Sequence, residues 1–309
     1  MGLRHTITPD RGDVGVRIDL VLLRHLRHIP GITRNRLQRL IAAGAVILNG
    51  RPVSRPSARV AATDDIDVTL PARKPRTAPI AEHSPLDIRH EDDDLLIVNK
   101  PPGQVSHPAF RHASGTLLNA LMAHARGAWT PALVSRLDKG TSGLVLVAKQ
   151  KAMHSALQRL ANTNGIEKEY LAIVAGKPPA RGTIDLALDR DPWDARRVTV
   201  RDRGGVPSIT RFARIRHVMI GPDRQLSLVK CRLITGRMHQ IRVHLTARGW
   251  PIVGDATYGV KMSGLDRQAL HAWRLAFDHP TSGQRVDITA PPPADMTAVL
   301  ARFNAGEIR

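Results

Sequence analysis

The chain has 309 residues, 42% apolar but only 3% aromatic, enough for one large core or for a core domain with a small satellite. Its 46 basic and 27 acidic residues leave a formal charge of +19 and a pI near 11.3, a balance that attracts polyanions and that also occurs as a plain solvated basic surface. The single cysteine, Cys231, excludes an internal disulfide and a multi-cysteine zinc site. No apolar run reaches the roughly 18 to 20 residues of a membrane span, and Met1-Gly2-Leu3-Arg4-His5 opens without a secretion signal, so a soluble, cytoplasmic protein is expected.

Residues 1–16 read as a tail. From 17 to 70 the charge pattern changes: no acidic residue lies between Asp19 and Asp64, while Arg24, Arg27, Arg34, Arg36, Arg39, Arg51, Arg55 and Arg59 fall in that window. Thr33 can cap a helix that carries Leu37, Leu40 and Ile41 on one face and Arg36 and Arg39 on the other, and Gly44 fits its stop. Ala45 to Leu48 then reads as a short strand and Asn49-Gly50 as a two-residue hairpin. Beside such a hairpin, Arg34, Arg36 and Arg39 are candidates for phosphate contacts to structured RNA, which position a partner without reading its sequence. A solvated helix face is the alternative. Residues 71–84 read as a linker, since Pro71 to Pro79 is proline-rich, basic and aperiodic.

From 85 to 309 short apolar runs alternate with turn signals. Leu95 to Val98, Leu144 to Ala148 and Tyr170 to Val174 read as buried strands, with helical patterns over about 115–126 and 151–163. The mixture predicts an α+β domain on a large, mostly antiparallel sheet with flanking helices. Cys231, in the alternating run Leu226 to Leu233, reads as packing. Asp138 stands in Arg136-Leu137-Asp138-Lys139-Gly140-Thr141-Ser142-Gly143. Taken locally, Asp-Lys-Gly before an apolar strand is turn chemistry, with the carboxylate on nearby amides, and a functional carboxylate fits equally well.

Three further segments bear on that choice: Val98-Asn99-Lys100-Pro101-Pro102-Gly103, Glu167-Lys168-Glu169-Tyr170-Leu171-Ala172, and Thr235-Gly236-Arg237-Met238-His239-Gln240-Ile241-Arg242-Val243-His244-Leu245. In this order, and with Pro251 to Asp255, Tyr258-Gly259, Leu270-His271-Ala272 and Phe277 to Pro280 behind them, the chain resembles the RluA family of pseudouridine synthases over about residues 85–295. Residues 17–70 resemble the S4 RNA-binding module at Arg17-Ile18-Asp19, Thr33 to Arg36, Ile41 to Val46, Asn49-Gly50 and Asp64 to Asp67. The pair resembles the branch that modifies large-subunit ribosomal RNA. Three family positions differ here. Ser135 stands where histidine is frequent, Gly140 where an acid is frequent, and Met238 where threonine or serine is frequent; none is an essential position.

The resemblance implies a pseudouridine-synthase-like mixed sheet behind a small S4-like α/β RNA-binding domain. It also implies isomerisation of uridine to pseudouridine in ribosomal RNA or a pre-ribosomal particle, without a cofactor. An enzyme of the same family acting on transfer RNA and a non-catalytic RNA-binding assembly factor are the other readings; intact Asp138, Tyr170 and Arg242 speak against the last. The reaction breaks the C1′–N1 bond, turns the base and rejoins it through C5, with no net redox change. A carboxylate can act as nucleophile and stabilise positive character at C1′. The resemblance gives Asp138 that role, Arg242 the guanidinium that keeps it ionised, and Tyr170 a stacking face with a hydroxyl for proton transfer. It makes Leu270 a pocket wall and Arg136 an aid to extruding the uridine; Arg237 is a further phosphate candidate. On pattern alone Arg242 reads as a surface or structural arginine and Leu270 as core, while a strand-core tyrosine at Tyr170 and a salt bridge within its own loop at Arg136 fit as well as the functional roles. His239 and His244, five apart on an expected helix with no glutamate between them, do not make a metal pair, and Lys100 to Gly103 is no phosphate cradle. No metal is expected, and in the absence of an association motif a monomer is.

Overall fold

Residues 3–71, 79–108, 112–194, 196–221 and 224–305 are described in this computed structural model, which divides into one unit up to Thr77 and another from Ala78. The first unit runs β1 (Leu3–Ile7), α1 (Ile18–Leu26), α2 (Arg34–Ala42), β2 (Val46–Leu48), β3 (Arg51–Pro52) and β4 (Ile66–Leu70). Its strands form an antiparallel sheet in the order β1-β4-β2-β3. Ile18, Leu22, Leu37, Ile41, Val46 and Ile66 are fully buried together, so both helices turn an apolar stripe to the sheet. The Thr33 hydroxyl accepts from the Arg36 amide at 3.3 Å and caps α2. Asn49 (φ 48°) and Gly50 (φ 75°) supply the two positive φ values of a tight hairpin turn.

The expected tail needs correction. Residues 3–7 form β1 and pair with β4 from Leu3↔Leu70 to Ile7↔Ile66, so the unit begins well ahead of residue 17. Arg4 and Thr6 both bond the Asp67 side chain, and of the strand's five residues only Ile7 is buried, which left no alternation to read.

The second unit contains β5 (Ile88–Glu91), β6 (Leu95–Lys100), α3 (Leu117–Ala125), β7 (Ala132–Leu133), β8 (Ser142–Ala148), α4 (Lys151–Asn162), β9 (Glu167–Ala175), β10 (Arg181–Asp185), β11 (Leu188–Arg190) and β12 (Val198–Val200). It continues with β13 (Ile209–Gly221), β14 (Arg224–Leu233), α5 (Gln240–Ala247), β15 (Leu270–Asp278), β16 (Arg285–Thr289) and α6 (Ala294–Ala305). One large sheet runs β10-β13-β14-β9-β15-β8-β6-β5, with β16 on β15 and β7 on β8, while β11 and β12 form a separate hairpin. Among the described strands only β8 and β15 pair in parallel, so the unit is α+β with a mixed, mostly antiparallel sheet. The expected linker lies partly outside the described residues; its last part packs on this unit, where Asn119 donates to the Ile80 carbonyl at 2.7 Å and Glu82 donates its amide to the Asn119 carbonyl at 3.0 Å. No described helix is long and apolar enough to cross a membrane.

The parallel junction of β8 and β15 sets the position of the loop before β8. His271 faces Ser142 and Ala272 faces Gly143, with Ser142 Oγ 3.0 Å from His271 Nδ1. Gly143 has φ 112°, and any Cβ there would run into the Ala272 backbone, so only glycine permits the approach. The buried His271 ring donates from Nε2 to the Ala290 carbonyl at 3.0 Å and accepts from Ser142; burial depresses its pKa and keeps it neutral. The Thr141-Ser142-Gly143 triplet is therefore strand-junction chemistry, and it delivers the residue three positions before Thr141 to the N-terminal end of a central strand.

Candidate active site

Asp138 closes a turn through its backbone, its carbonyl accepting from the Thr141 amide at 3.0 Å. Its carboxylate is not spent on that turn. Oδ2 accepts from Arg242 Nη1 at 2.9 Å, and the side chain stays 28% exposed to a cleft of about 780 Å³. The loop is pinned from behind by the 100–106 segment. Ser106 Oγ donates to the Leu137 carbonyl at 2.8 Å and accepts from the Leu137 amide at 3.2 Å. The Gly103 amide donates to the Lys139 carbonyl at 2.8 Å. Lys100, fully buried, points Nζ at the carbonyls of Pro101 (2.8 Å), Gln104 (2.9 Å) and Lys139 (3.5 Å). Burial, with Arg267 adding and Asp138 opposing, pulls its pKa down to about 7. The Lys100-Pro101-Pro102-Gly103 stretch is thus scaffold for the Asp138 loop.

Arg242 sits in the first turn of α5 and is held at both ends. Beyond Asp138 it makes a two-point pair with Asp255, Nε to Oδ2 at 2.6 Å and Nη2 to Oδ1 at 2.8 Å. Asp255 Oδ1 also accepts from the amides of Thr257 (2.9 Å) and Tyr258 (3.1 Å). Burial works against both charges, yet the pair outweighs it: Arg242 is raised and Asp255 lowered from their ordinary values. The guanidinium lies 5.0 Å from the centre of the Tyr258 ring. Tyr258 accepts from the Val198 amide at 2.7 Å, so its own proton goes to His239 Nδ1, 3.0 Å away. That leaves the His239 proton on Nε2, 3.7 Å from Asp138 Oδ2. Burial, reinforced by Arg242 and opposed by Asp138, lowers the His239 pKa and keeps the ring neutral.

His239 and His244 do not both lie within the helix expected to carry them. His239 is the residue before α5, at φ 55°, whereas His244 is buried within it and bonded to Thr210 Oγ1 (2.9 Å) and the Leu186 carbonyl (3.1 Å). Among the described residues the one cluster of ligand-type side chains is Asp10, Asp13 and His25 of the first unit, where Arg24 already bridges both carboxylates.

The cleft brings together Asp138, Tyr170, Arg242, Arg136, Arg237 and Leu270. Tyr170, half-buried on β9, has no hydrogen-bond partner for its hydroxyl among the described residues. Burial and then the Asp138 charge raise its pKa, so it stays a neutral phenol. Leu270 is buried in the core while lining the cleft. Arg136 is exposed and makes no ion pair among the described residues, which removes the local salt-bridge reading. Ser135 and Met238 also line the cleft. The space a side chain at Gly140 would take is filled by Gln268, whose Nε2 donates to Thr141 Oγ1 at 3.1 Å. In the other unit, Arg34 is committed to the buried Asp19 (3.0 Å), Arg39 reaches the Asn35 carbonyl (3.3 Å) and Arg36 the Gly31 carbonyl (3.4 Å). Arg34 is therefore first a structural partner, with its exposed side available to a ligand.

Four contributors had no role in the sequence reading. Asp255, Tyr258 and His239 complete the chain of contacts behind Arg242, and the motif that contains them was the only available signal. Lys168 is the fourth. It lines the cleft two residues from Tyr170, burial lowers its pKa, and no carboxylate meets it among the described residues. Its neighbours Glu167 and Glu169 are engaged by Arg232, Arg274, Arg285 and Lys230 instead.

A family model described as RNA pseudouridylate synthase matches residues 94–247, and an S4-domain model matches residues 16–66. The chain is 39% identical over 312 residues to ribosomal large subunit pseudouridine synthase D of Neisseria meningitidis serogroup B, covering 94% of this chain and 80% of that one. It is likewise 39% identical over 276 residues to the RNA pseudouridine synthase YlyB of Bacillus subtilis, covering 87% and 88%. The solved structure of human RNA pseudouridylate synthase domain containing 4 is similar at a TM-score of 0.58 and 25% identity, over 70% of this chain and 92% of that one.

Proposed function

The chain belongs to the RNA pseudouridylate synthase family, and from that premise we propose that it isomerises uridines of large-subunit ribosomal RNA with Asp138 as nucleophile. One observation carries the assignment of Asp138. Its carboxylate is anchored through one oxygen to a doubly held arginine while remaining open to a cleft, the arrangement a nucleophile needs and a structural aspartate does not. Arg242 holds the carboxylate ionised and in place, and Asp255 orients Arg242 in turn.

In the proposed reaction the target uridine leaves its stack and enters the cleft, at a cost of a few kcal/mol. Arg136, exposed and without an ion pair among the described residues, holds the extruded nucleotide's backbone, with Arg237 on a neighbouring phosphate. Asp138 assists departure of the base from C1′, the base turns, C5 bonds to C1′, the C5 proton is lost to solvent and N1 takes up a proton in its place. Tyr170 stacks on the uracil beside the Leu270 wall. Its raised pKa favours proton relay by a neutral phenol over a standing phenolate base. The S4 unit, through the exposed arginines of α2, adds sequence-independent affinity. Ribosomal RNA is favoured over transfer RNA by the S4 unit together with the substrate in the name of the Neisseria relative. The corresponding setting is a cytoplasmic monomer without metal.

Mapping pseudouridine in total RNA from cells with and without the protein tests the substrate. Loss of a large-subunit ribosomal site is expected, and loss confined to transfer RNA would overturn that part. Deleting residues 1–77 is expected to weaken RNA binding and flatten its salt dependence more than it slows the chemical step; unchanged affinity would show that the first unit is no anchor.

A further inference from the structure

Trp193, between β11 and β12, is the most exposed large apolar side chain among the described residues, at 94%. Folding gains nothing from an indole left in water, because the transfer free energy that burial returns is forfeited. The loop that carries it is nevertheless well built. Asp191 Oδ1 accepts from the amides of Trp193 (2.8 Å) and Asp194 (3.2 Å). The loop closes with the Asp191 amide on the Arg197 carbonyl (3.1 Å) and the Arg197 amide on the Asp194 carbonyl (2.8 Å). Arg196 makes a two-point pair with Asp194, both contacts at 2.9 Å. The carboxylates of Asp191 and Asp194 are thus consumed inside the loop. Arg197 is held on the Thr257 carbonyl at 3.3 Å. Arg190, Arg201 and Arg203 remain, against Asp189 and Asp202, and none of the three forms an ion pair among the described residues.

The base of the hairpin stands on the active-site scaffold. Leu188 and Val198 pack on Val243 of α5. The Val198 amide donates to the Tyr258 hydroxyl, and the Arg197 guanidinium lies 5.5 Å from the centre of the same ring that neighbours Arg242. An indole presented on a braced loop has few torsions left to freeze, and every base offers a face on which it can stack. We propose that Trp193 is a stacking platform for an unpaired nucleobase of the bound RNA, with Arg190, Arg201 and Arg203 on the adjoining phosphates. The proposal rests on the RNA-modifying reading and extends it. The RNA is gripped at a second point outside the catalytic cleft, and the grip requires single-stranded nucleotides.

The test compares the full chain with its Trp193→Ala and Trp193→Phe variants, using a short fluorescein-labelled single-stranded oligoribonucleotide and a duplex of the same length. Trp193→Ala is expected to weaken single-strand binding roughly tenfold. Trp193→Phe should retain most of the affinity, and neither should alter duplex binding. Saturating single strand should quench tryptophan fluorescence in the parent and quench it much less in Trp193→Phe. Equal single-strand affinity of parent and Trp193→Ala would overturn the proposal. So would an equal loss on single strand and duplex, which reports a general change of fold. Failure of the isomerase reading is separable, because it appears in tritium release and pseudouridine mapping, whereas the platform is decided by binding alone.

Discussion

Two aspartates, one in each unit, meet arginines at similar distances and end in opposite situations. Asp19 is completely buried in the first unit and held on both oxygens: Arg17 Nε donates to Oδ1 at 3.0 Å, while Arg17 Nη2 (3.2 Å), Arg34 Nε (3.0 Å) and Gln38 Nε2 (2.8 Å) all donate to Oδ2. Those bonds outweigh the penalty of burial and hold its pKa at about 2. Asp138 has Arg242 on one oxygen, His239 at 3.7 Å, and an open side toward the cleft. The lesson is one of valence. A buried carboxylate held on both oxygens ties α1 to α2, whereas the same group left partly free, on an arginine that Asp255 already steadies, retains the capacity to attack.

The largest effect expected from that contrast belongs to Asp138→Asn. The amide keeps the volume but loses the negative charge, so tritium release from [5-³H]uridine RNA should fall by at least about 10⁴-fold while RNA binding persists. Comparable release by mutant and parent would sink the nucleophile assignment. Arg242→Gln comes next, with an expected loss of about 10²- to 10³-fold. Asp255→Asn should follow at roughly 10- to 100-fold, because it loosens the arginine without touching the substrate. A larger loss from Asp255→Asn than from Arg242→Gln would mean that Asp255 acts on the substrate directly.

How much of this could be read in advance differs between the two aspartates. The nucleophile was legible only through the order of motifs, since Asp138 alone is indistinguishable from a turn residue; its backbone does make the turn. Asp19 was visible as the last acid before a long basic stretch, but its partner Arg34 lies fifteen positions away and was assigned to RNA. A spacing argument cannot tell which guanidinium has already been claimed. The strands β6, β8 and β9 were legible because they are buried on both faces and rich in valine, leucine and isoleucine. Helix α1 has no place in the sequence reading: Arg17 precedes it and provides no side-chain cap. Tyr258 and Asp255 escaped assignment because their function is to support Arg242 across the fold, a relation that no local pattern encodes.

On the structural side of the comparison, Asp19→Asn should cost the first unit about 2 kcal/mol, less than a fully enclosed pair because both arginines are 40% or more exposed. The parent's pH dependence has a defined direction. With a folded pKa near 2 against an ordinary 3.8, Asp19 binds its proton less readily when folded. Its contribution is therefore complete above about pH 4 and is lost as the pH falls toward 2. Chemical denaturation of residues 1–77 at pH 5 and pH 3 should show this loss in the parent and much less of it in Asp19→Asn. An identical pH slope in both would remove Asp19 from the account.

The smallest effect expected lies beside the nucleophile, at a position where the chain departs from the family's frequent acid. A methyl group at Gly140 would meet the Gln268 amide, the far end of a flexible side chain, and Gly140 itself needs no positive φ. Gly140→Ala should therefore cost only about 1 kcal/mol and a few-fold in tritium release, through displacement of Gln268 from Thr141. Gln268→Ala alone breaks the same contact, so the double variant should be no worse than the worse single one, a coupling that a double-mutant cycle measures. Strict additivity would mean that Gly140 is kept for the backbone of the Asp138 loop, and that Gln268 occupies the space without having replaced anything.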